Sequence, residues 1–542
     1  METVEVVLAM LVAVIASGYV ARVLPVALPL PLIQIVLGAV IAGVFRHGVA
    51  LDPDIFFLLF LPPLLFVDGW RIPKIGLFRD KATILELALG LVVFTVVGAG
   101  YLLHWMIPAM PLAVAFALAA IVAPTDPVAV SSITARVPMP PRLSHIIEGE
   151  SLLNDASGLV CFRFAVAAAM TGHFSLAQAG LSFLWIALGG IAAGAAITFA
   201  ITRAHGILQR RFGEEDGVPV LINLLTPFGA YLAAERLHAS GILAAVVAGV
   251  TMSYLELSGA ASPGTRIRRN VVWDALQFTL NGTMFVLLGE QLPDIARGAL
   301  HPDGGQPFDP WWLASRALAL SLGLVLLRLI WVWISLQLTL LNRKRPGHQG
   351  FTPRLRVMLA TSVSGVRGAL TMAGVMTLPL ALPGGAPFPA RHLAIFLAAS
   401  VIVFSLLLAS AALPALLRGL RMPDEPEAKC SEIDARHAAT LAAIAALEKA
   451  RRAGGGADPA LQDQAVAHVL RLYRHRLDAT DAAGGHGDPQ ALQRAELRYR
   501  LLALNAERDT VLRLARRMDV SDETARKLLR QIDLLEARYQ QD

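Results

Sequence analysis

Apolar runs of about 20 residues recur from the start of the chain to about Leu417, separated by short polar loops. Each run is long enough to cross a bilayer as a helix. Long unbroken runs, rather than ten-residue alternation, predict helices and not a barrel. Thirteen runs are centred near residues 11, 36, 61, 92, 122, 158, 188, 228, 246, 282, 326, 368 and 404. The first, "METVEVVLAMLVAVIASGY", reads as a span rather than a signal peptide, because Glu2 and Glu5 make its leading region acidic and no clear cleavage site follows. At "RMPDEPEAK" the pattern changes to polar, interrupted helical periodicity, broken again at "AGGGADP" and "DAAGGHGDP". The closing "SDETARKLLRQIDLLEARY" offers Ser521 as an N-cap followed by apolar residues at helical spacing. The expectation is an all-α polytopic membrane protein, with a transmembrane region at 1–421 and a cytoplasmic tail of two or three helices at 422–542.

Two runs are interrupted in the same manner. The fifth carries Pro124 and Pro127 around Thr125-Asp126, and the twelfth carries Gly365 and Gly368 around Arg367. They lie seven spans apart. Matched broken helices in two halves predict an inverted-repeat transporter with its site at the breaks. Proline withdraws backbone donors and frees carbonyls that a cation can use in place of water.

Charge supports the span assignment. The loops after spans 1, 3, 5, 7, 9 and 11, with the exit from span 13, hold 20 Lys and Arg, whereas the alternate loops hold only Arg46, Arg236, Arg297 and Arg391. The positive-inside rule then places the N-terminus outside and the C-terminus in the cytoplasm of a bacterial inner membrane. Composition agrees: the chain is 55% hydrophobic and only 16% charged, with mean hydropathy +0.58. Its net charge of +6 is loop charge that orients the chain, which leaves nucleic-acid binding without support. Cys161 and Cys430 lie too far apart in sequence to suggest a disulfide or zinc framework.

The polar residues inside the apolar runs carry the chemistry. An ionised carboxylate is disfavoured in hydrocarbon, so Asp155 in "SLLNDASGLV" suits a group that holds either a proton or a metal cation. Ser151 lies one helical turn earlier on the same face, and Asn154 adds a neutral amide. Asp126 and the Thr125 oxygens complete an oxygen set of the kind hard cations prefer. Arg367 needs an acid, and Glu148 and Glu150 are the available partners. Arg163 is expected to snorkel or to pair with an acid on a neighbouring helix. Glu86 and Glu290 stay unassigned, and His104, His145 and His173 read as interfacial residues.

Several motifs in order, "FLPPLLFVDGW", "PTDPVAVSSI", "EGESLLNDASGLV", "SGILAAVVAGV", "NGTMFVLLGEQL" and "SGVRGALTMA", give the chain a resemblance to monovalent cation–proton antiporters of the sodium/hydrogen-exchanger, NhaP-like type. The resemblance implies a core domain and a dimerisation domain built from thirteen helices, and a homodimer in lipid. It implies that Asp155 is the ion-binding carboxylate, with Asn154, Ser151, Asp126 and Thr125 around it, and that Glu150 and Arg367 form a structural pair. It associates the Asn before the key Asp with electroneutral exchange. One departure stands out: relatives often carry an acid after "PP" and three apolar residues, but that place is Val67 here and the acid is Asp68. Asp68 is therefore expected at the helix end facing water, outside the site.

The reading that follows is a transporter and not an enzyme: Na+/H+ antiport, with K+ as the rival cation and Li+ expected to follow Na+. It calls for no cofactor, since Na+ or K+ and H+ are cargo. An intramembrane aspartyl protease would need a "GxGD" stretch within a span, and the apolar runs contain none, the "GHGD" at 485–488 lying in the polar tail; no Walker-type loop supports ATP-driven pumping. An uncoupled cation channel would use the same carboxylate and differ by carrying flux without proton coupling.

Overall fold

The structure, a computed structural model, describes residues 2–420 except 25–27, 45–52, 73–79, 135–136, 138, 172–175, 214–216, 257–262, 302–307, 343–354 and 383–385, then 432–453, 466–471, 473–474 and isolated positions between 501 and 536. Ser521, Cys430 and His173, with the loop cations Lys74, Arg79, Arg343, Lys344 and Arg345, lie outside the described residues. The chain divides into two compact units, Met1–Met422 and Pro423–Asp542.

The first unit is helical, and among the described residues the only β element is an isolated bridge between Ala381 and Pro387. Its helices are α1 (Glu2–Val23), α2 (Leu30–Val44), α3 (Pro53–Arg71), α4 (Lys81–Met106), α5 (Leu112–Val122), α6 (Pro127–Thr134), α7 (Pro141–Thr171) and α8 (Leu176–Phe212). They continue as α9 (Val218–Arg236), α10 (Gly241–Glu256), α11 (Pro263–Leu300), α12 (Pro310–Asn342), α13 (Leu355–Val363), α14 (Ala369–Met376) and α15 (Arg391–Leu417). α6, α7, α11 and α12 each begin on proline, whose missing N–H costs nothing in the first helical turn. Each predicted apolar run coincides with one helix or with a broken pair, α5–α6 or α13–α14. Among the described residues, eight helices are individually long and apolar enough to cross a membrane, or nine with the bent α5–α6 pair.

Large apolar side chains face outward on the long helices, including Leu8, Val12 and Ile15 of α1, Leu181, Leu184 and Leu188 of α8, and Leu318, Leu322 and Leu326 of α12. Such surfaces would be a liability in water and are at home against lipid. Inside, α2 lies along α11 and α3 along α10. A Cβ at Gly249 would run into the Phe66 carbonyl, and one at Gly69 into that of Val246, so reciprocal glycines let the α3 and α10 backbones touch.

Among the described residues four apolar clusters result, and the two largest frame the site. One gathers residues of α4, α5, α6, α7, α12, α14 and α15. Another joins α1, α3, α10 and α11 and meets the first group through Leu152 of α7 and Ala373 of α14. The site lies where α3 and α11 face α6, α7 and α14. In the second unit, α16 (Glu432–Ala453) is followed by a further helical stretch at 466–471.

Candidate cation site at two crossed helix breaks

α5 ends at Val122, the chain runs unwound through Pro124 and Thr125, and α6 restarts at Pro127 with a 43° bend. Across from it the chain is non-helical between α13 and α14. The two unwound segments are hydrogen-bonded to each other: the Asp126 backbone N–H donates to the Val366 carbonyl at 2.7 Å. A Cβ at Gly368 would collide with the Asp126 carboxylate, so glycine is what lets the crossing close.

Breaking two helices in the interior exposes four helix ends, and side chains satisfy three of them. Asp126 caps α6, its Oδ1 accepting from the N–H groups of Val128 at 2.8 Å and Ala129 at 3.4 Å. Arg367 donates through Nε to the Val122 carbonyl at the end of α5 (2.9 Å) and through Nη1 to the Gly365 carbonyl. Its backbone N–H is held by Ser405 Oγ at 3.1 Å. Arg328 of α12 donates through Nε to the Thr361 carbonyl, 2.9 Å away at the end of α13. A carboxylate at a positive helix end and guanidiniums at two negative ends are the placements that helix dipoles favour.

This arrangement corrects the pairing expected for Glu150. Its carboxylate takes both arms of Arg328, at 2.5 and 2.7 Å, with both side chains essentially inaccessible. Arg367, only 2% exposed, spends its donors on carbonyls instead. The expected pair came from the need to satisfy an arginine within the membrane and from the family resemblance, which favours Glu150. Sequence reasoning passed over Arg328, an arginine in the middle of an unbroken apolar helix, although a charge at that depth was itself a signal of buried pairing.

Above the crossing stands α7. Ser151 Oγ and Thr125 Oγ1 are 3.1 Å apart, and Asn154 Nδ2 donates to the same Thr125 oxygen at 3.0 Å. Asn154 Oδ1 is buried with no hydrogen-bond partner. The structure thus brings together Thr125, Ser151 and Asn154 by direct contact, and Asp126 and Asp155 on the wall of one cavity. No group among the described residues hydrogen-bonds the Asp155 carboxylate.

Two adjoining cavities meet at Asp155. The smaller, of 60 Å³, is lined by Asp68, Thr125, Asp126, Asp155, Asn281 and Thr371 among others, with room for a small cation and about one or two waters. The larger, of 190 Å³, is lined by Asp68, Arg71, Glu148, Ser151, Asp155 and Gln277 among others. Their polar walls present mainly oxygen. Among the described residues no three His, Cys, Asp or Glu side chains converge as a metal cage.

Asp68 lines both cavities, contrary to the expectation that it faces water at a helix end. One residue's shift along α3 relative to the expected acid still leaves its carboxylate within reach of the path. Arg163 pairs with Glu235 of α9 at 3.2 Å. His104 Nδ1 lies 3.0 Å from the Met110 carbonyl, while one Glu86 oxygen and His145 Nδ1 are buried without hydrogen-bond partners among the described residues.

Comparisons with known proteins agree with this architecture. Residues 7–419 match the family described as sodium/hydrogen exchanger, transmembrane. The chain is 39% identical, over 99% of both chains, to an uncharacterized Na(+)/H(+) exchanger, YjcE, of Escherichia coli K12. It is 43% identical to a sodium, potassium, lithium and rubidium/H(+) antiporter of Bacillus subtilis, over 77% of this chain and 62% of that relative. Its fold matches the sodium proton antiporter MjNhaP1 of Methanocaldococcus jannaschii with a TM-score of 0.57 at 18% identity, covering 78% of this chain and 99% of the other. With its membrane helices, its two crossed helix breaks and a match across nearly the whole first unit, the chain belongs to the sodium/hydrogen exchanger family of monovalent cation–proton antiporters.

Proposed function

We propose that the protein exchanges Na+ for H+ at Asp155, one cation for one proton, with K+ as an alternative cation on the same scaffold. The observation that carries this is a carboxylate without a protein hydrogen bond, set among Thr125, Ser151, Asn154 and Asp126 at the junction of two cavities. In a low-dielectric setting such a group is neutralised either by a proton or by a cation, and the two compete. Asn154 beside it carries no charge, so each turnover moves one positive charge in either direction and the cycle is electroneutral. The cation range named for the Bacillus subtilis relative supports a site of oxygen ligands that tolerates more than one alkali ion.

The proposed topology is thirteen passes of a bacterial plasma membrane, N-terminus outside and tail in the cytoplasm, in a homodimer. Asp68, Arg71 and Glu148 then line the cytoplasmic approach. On the opposite side Leu61, Leu64 and Met284, which also line the smaller cavity, pack into an apolar core, closing the path outward. Alternation would move the broken helices and α7 against α3 and α11. The physiological role that follows is pH and sodium homeostasis.

The test uses inverted membrane vesicles carrying a preformed pH gradient. Added Na+ or K+ is expected to dissipate the gradient in wild type and to leave it intact in Asp155→Asn. An imposed membrane potential should leave the rate unchanged. Cation flux in wild type without proton movement would replace exchange with a channel, and a rate that follows the potential would remove electroneutrality.

A further inference from the structure

Two polar pairs face each other at the mouth of the larger cavity. Asp68 and Arg71 are three residues apart on α3, and Asp274 and Gln277 are three apart on α11, so each pair shares a helix face. Arg71 donates through Nη2 to Asp274 Oδ1 at 2.6 Å and through Nη1 to Gln277 Oε1 at 2.9 Å. Gln277 in turn donates through Nε2 to Asp68 Oδ1 at 3.4 Å. The guanidinium also rests 5.8 Å from the Trp70 ring centre. The Gln277 amide has one workable orientation here, since the reverse would set donor against donor and acceptor against acceptor.

An Asp and an Arg three residues apart on one helix are placed to pair with each other. If Arg71 turned to Asp68, a tethered cation would occupy that carboxylate, which disfavours a mobile cation on its way to Asp155. The Arg71–Asp274 contact is solvent-accessible, with side chains 39% and 65% exposed, so it adds little stability. What it determines is where the Arg71 head points.

We infer that Gln277 and Asp274 are positioning residues that hold the Arg71 guanidinium away from Asp68 and leave that carboxylate free to receive an alkali cation on its way to Asp155. This rests on the exchange reading above. Gln277 does so from both sides, accepting from the arginine and donating to the acid it protects.

The test is the Na+ dependence of proton flux in inverted vesicles for wild type, Gln277→Leu, Arg71→Gln and the double variant, with the amount of protein in the membrane measured for each. Gln277→Leu is expected to raise the Na+ KM about five- to tenfold at nearly unchanged Vmax. Removing the arginine in the same chain should return KM to the wild-type value. A merely structural role would lower Vmax or protein amount, and deleting a second contact would not restore it. A wild-type KM in Gln277→Leu, or a double variant as impaired as the single one, overturns the inference while exchange itself stands. If Gln277→Leu does not reach the membrane, Asp274→Asn, which keeps side-chain size, should shift KM the same way, and an unshifted KM there overturns it. Wild-type vesicles that exchange neither Na+ nor K+ would instead overturn the exchange reading, and this inference with it.

Discussion

Asp126 holds a structural task and a proposed ionic one on the same carboxylate, and substitution can separate them. Its Oδ1 caps α6, which needs only an acceptor, whereas attraction of a cation needs the charge. Asp126→Asn is expected to keep most of the cap and the thermal stability in detergent while weakening Na+ binding. Asp126→Ala should lose both, with a stability cost of about 1 kcal/mol from the missing cap. Equal melting temperatures for the two variants would show that the cap contributes nothing. Asn154 is constrained differently: it spends one N–H on Thr125, and its Oδ1 is buried with no hydrogen-bond partner among the described residues. Asp155 is the freest of the three among the described residues, and freedom from protein partners is what the proposed role of binding and releasing a cation requires.

Among elements, the broken helices are held by charges placed at their ends. Glu150 ties α7 to Arg328 of α12, and Arg328 continues to the end of α13, so one guanidinium joins three helices. Arg328→Met would strand a buried carboxylate and is expected to cost about 3 to 5 kcal/mol, whereas the Glu150→Gln, Arg328→Met double variant should be less destabilised than Arg328→Met alone. Thermal unfolding of wild type, Glu150→Gln, Arg328→Met and the double variant checks this, and simple additivity would refute the pairing. Gly368→Ala should fail for another reason. Its methyl group would displace the Asp126 carboxylate, and the expected result is protein that reaches the membrane but exchanges poorly.

For the whole molecule, exchange at one shared carboxylate has a signed pH dependence. In the proposed exchange protons compete with the cation, so acidifying the side on which Na+ loads should raise the Na+ KM and leave Vmax unchanged. Rate curves against Na+ at several pH values test this, and a fall in Vmax at constant KM would point to a separate proton site. The second unit is internally compact, and its Arg474–Glu448 contact at 3.2 Å is exposed enough to add little stability. The family match ends at residue 419, before this unit begins. A chain ending at Met422 is therefore expected to retain Na+-dependent proton flux in vesicles, and complete loss of flux would make the tail part of the carrier.

The positions of the helices were legible in the sequence, because hydrocarbon imposes one rule on every spanning residue and apolar run length reports it directly. The helix breaks were legible too, since Pro124, Pro127, Gly365 and Gly368 act through local backbone chemistry. So was the cluster of Thr125, Ser151 and Asn154, where α7's own spacing and the Pro-flanked break bring oxygen groups together. Partner choice was not legible. Arg328 lies 178 residues from Glu150, and nothing in either local sequence distinguishes it from Arg367 as a partner. Asp68 and Gln277 come from helices 209 residues apart in the chain, and only the packing of α3 against α11 places them at one cavity mouth. Burial and backbone breaks are properties of short segments, whereas which charge meets which depends on how distant helices pack, and that the tertiary structure alone decided.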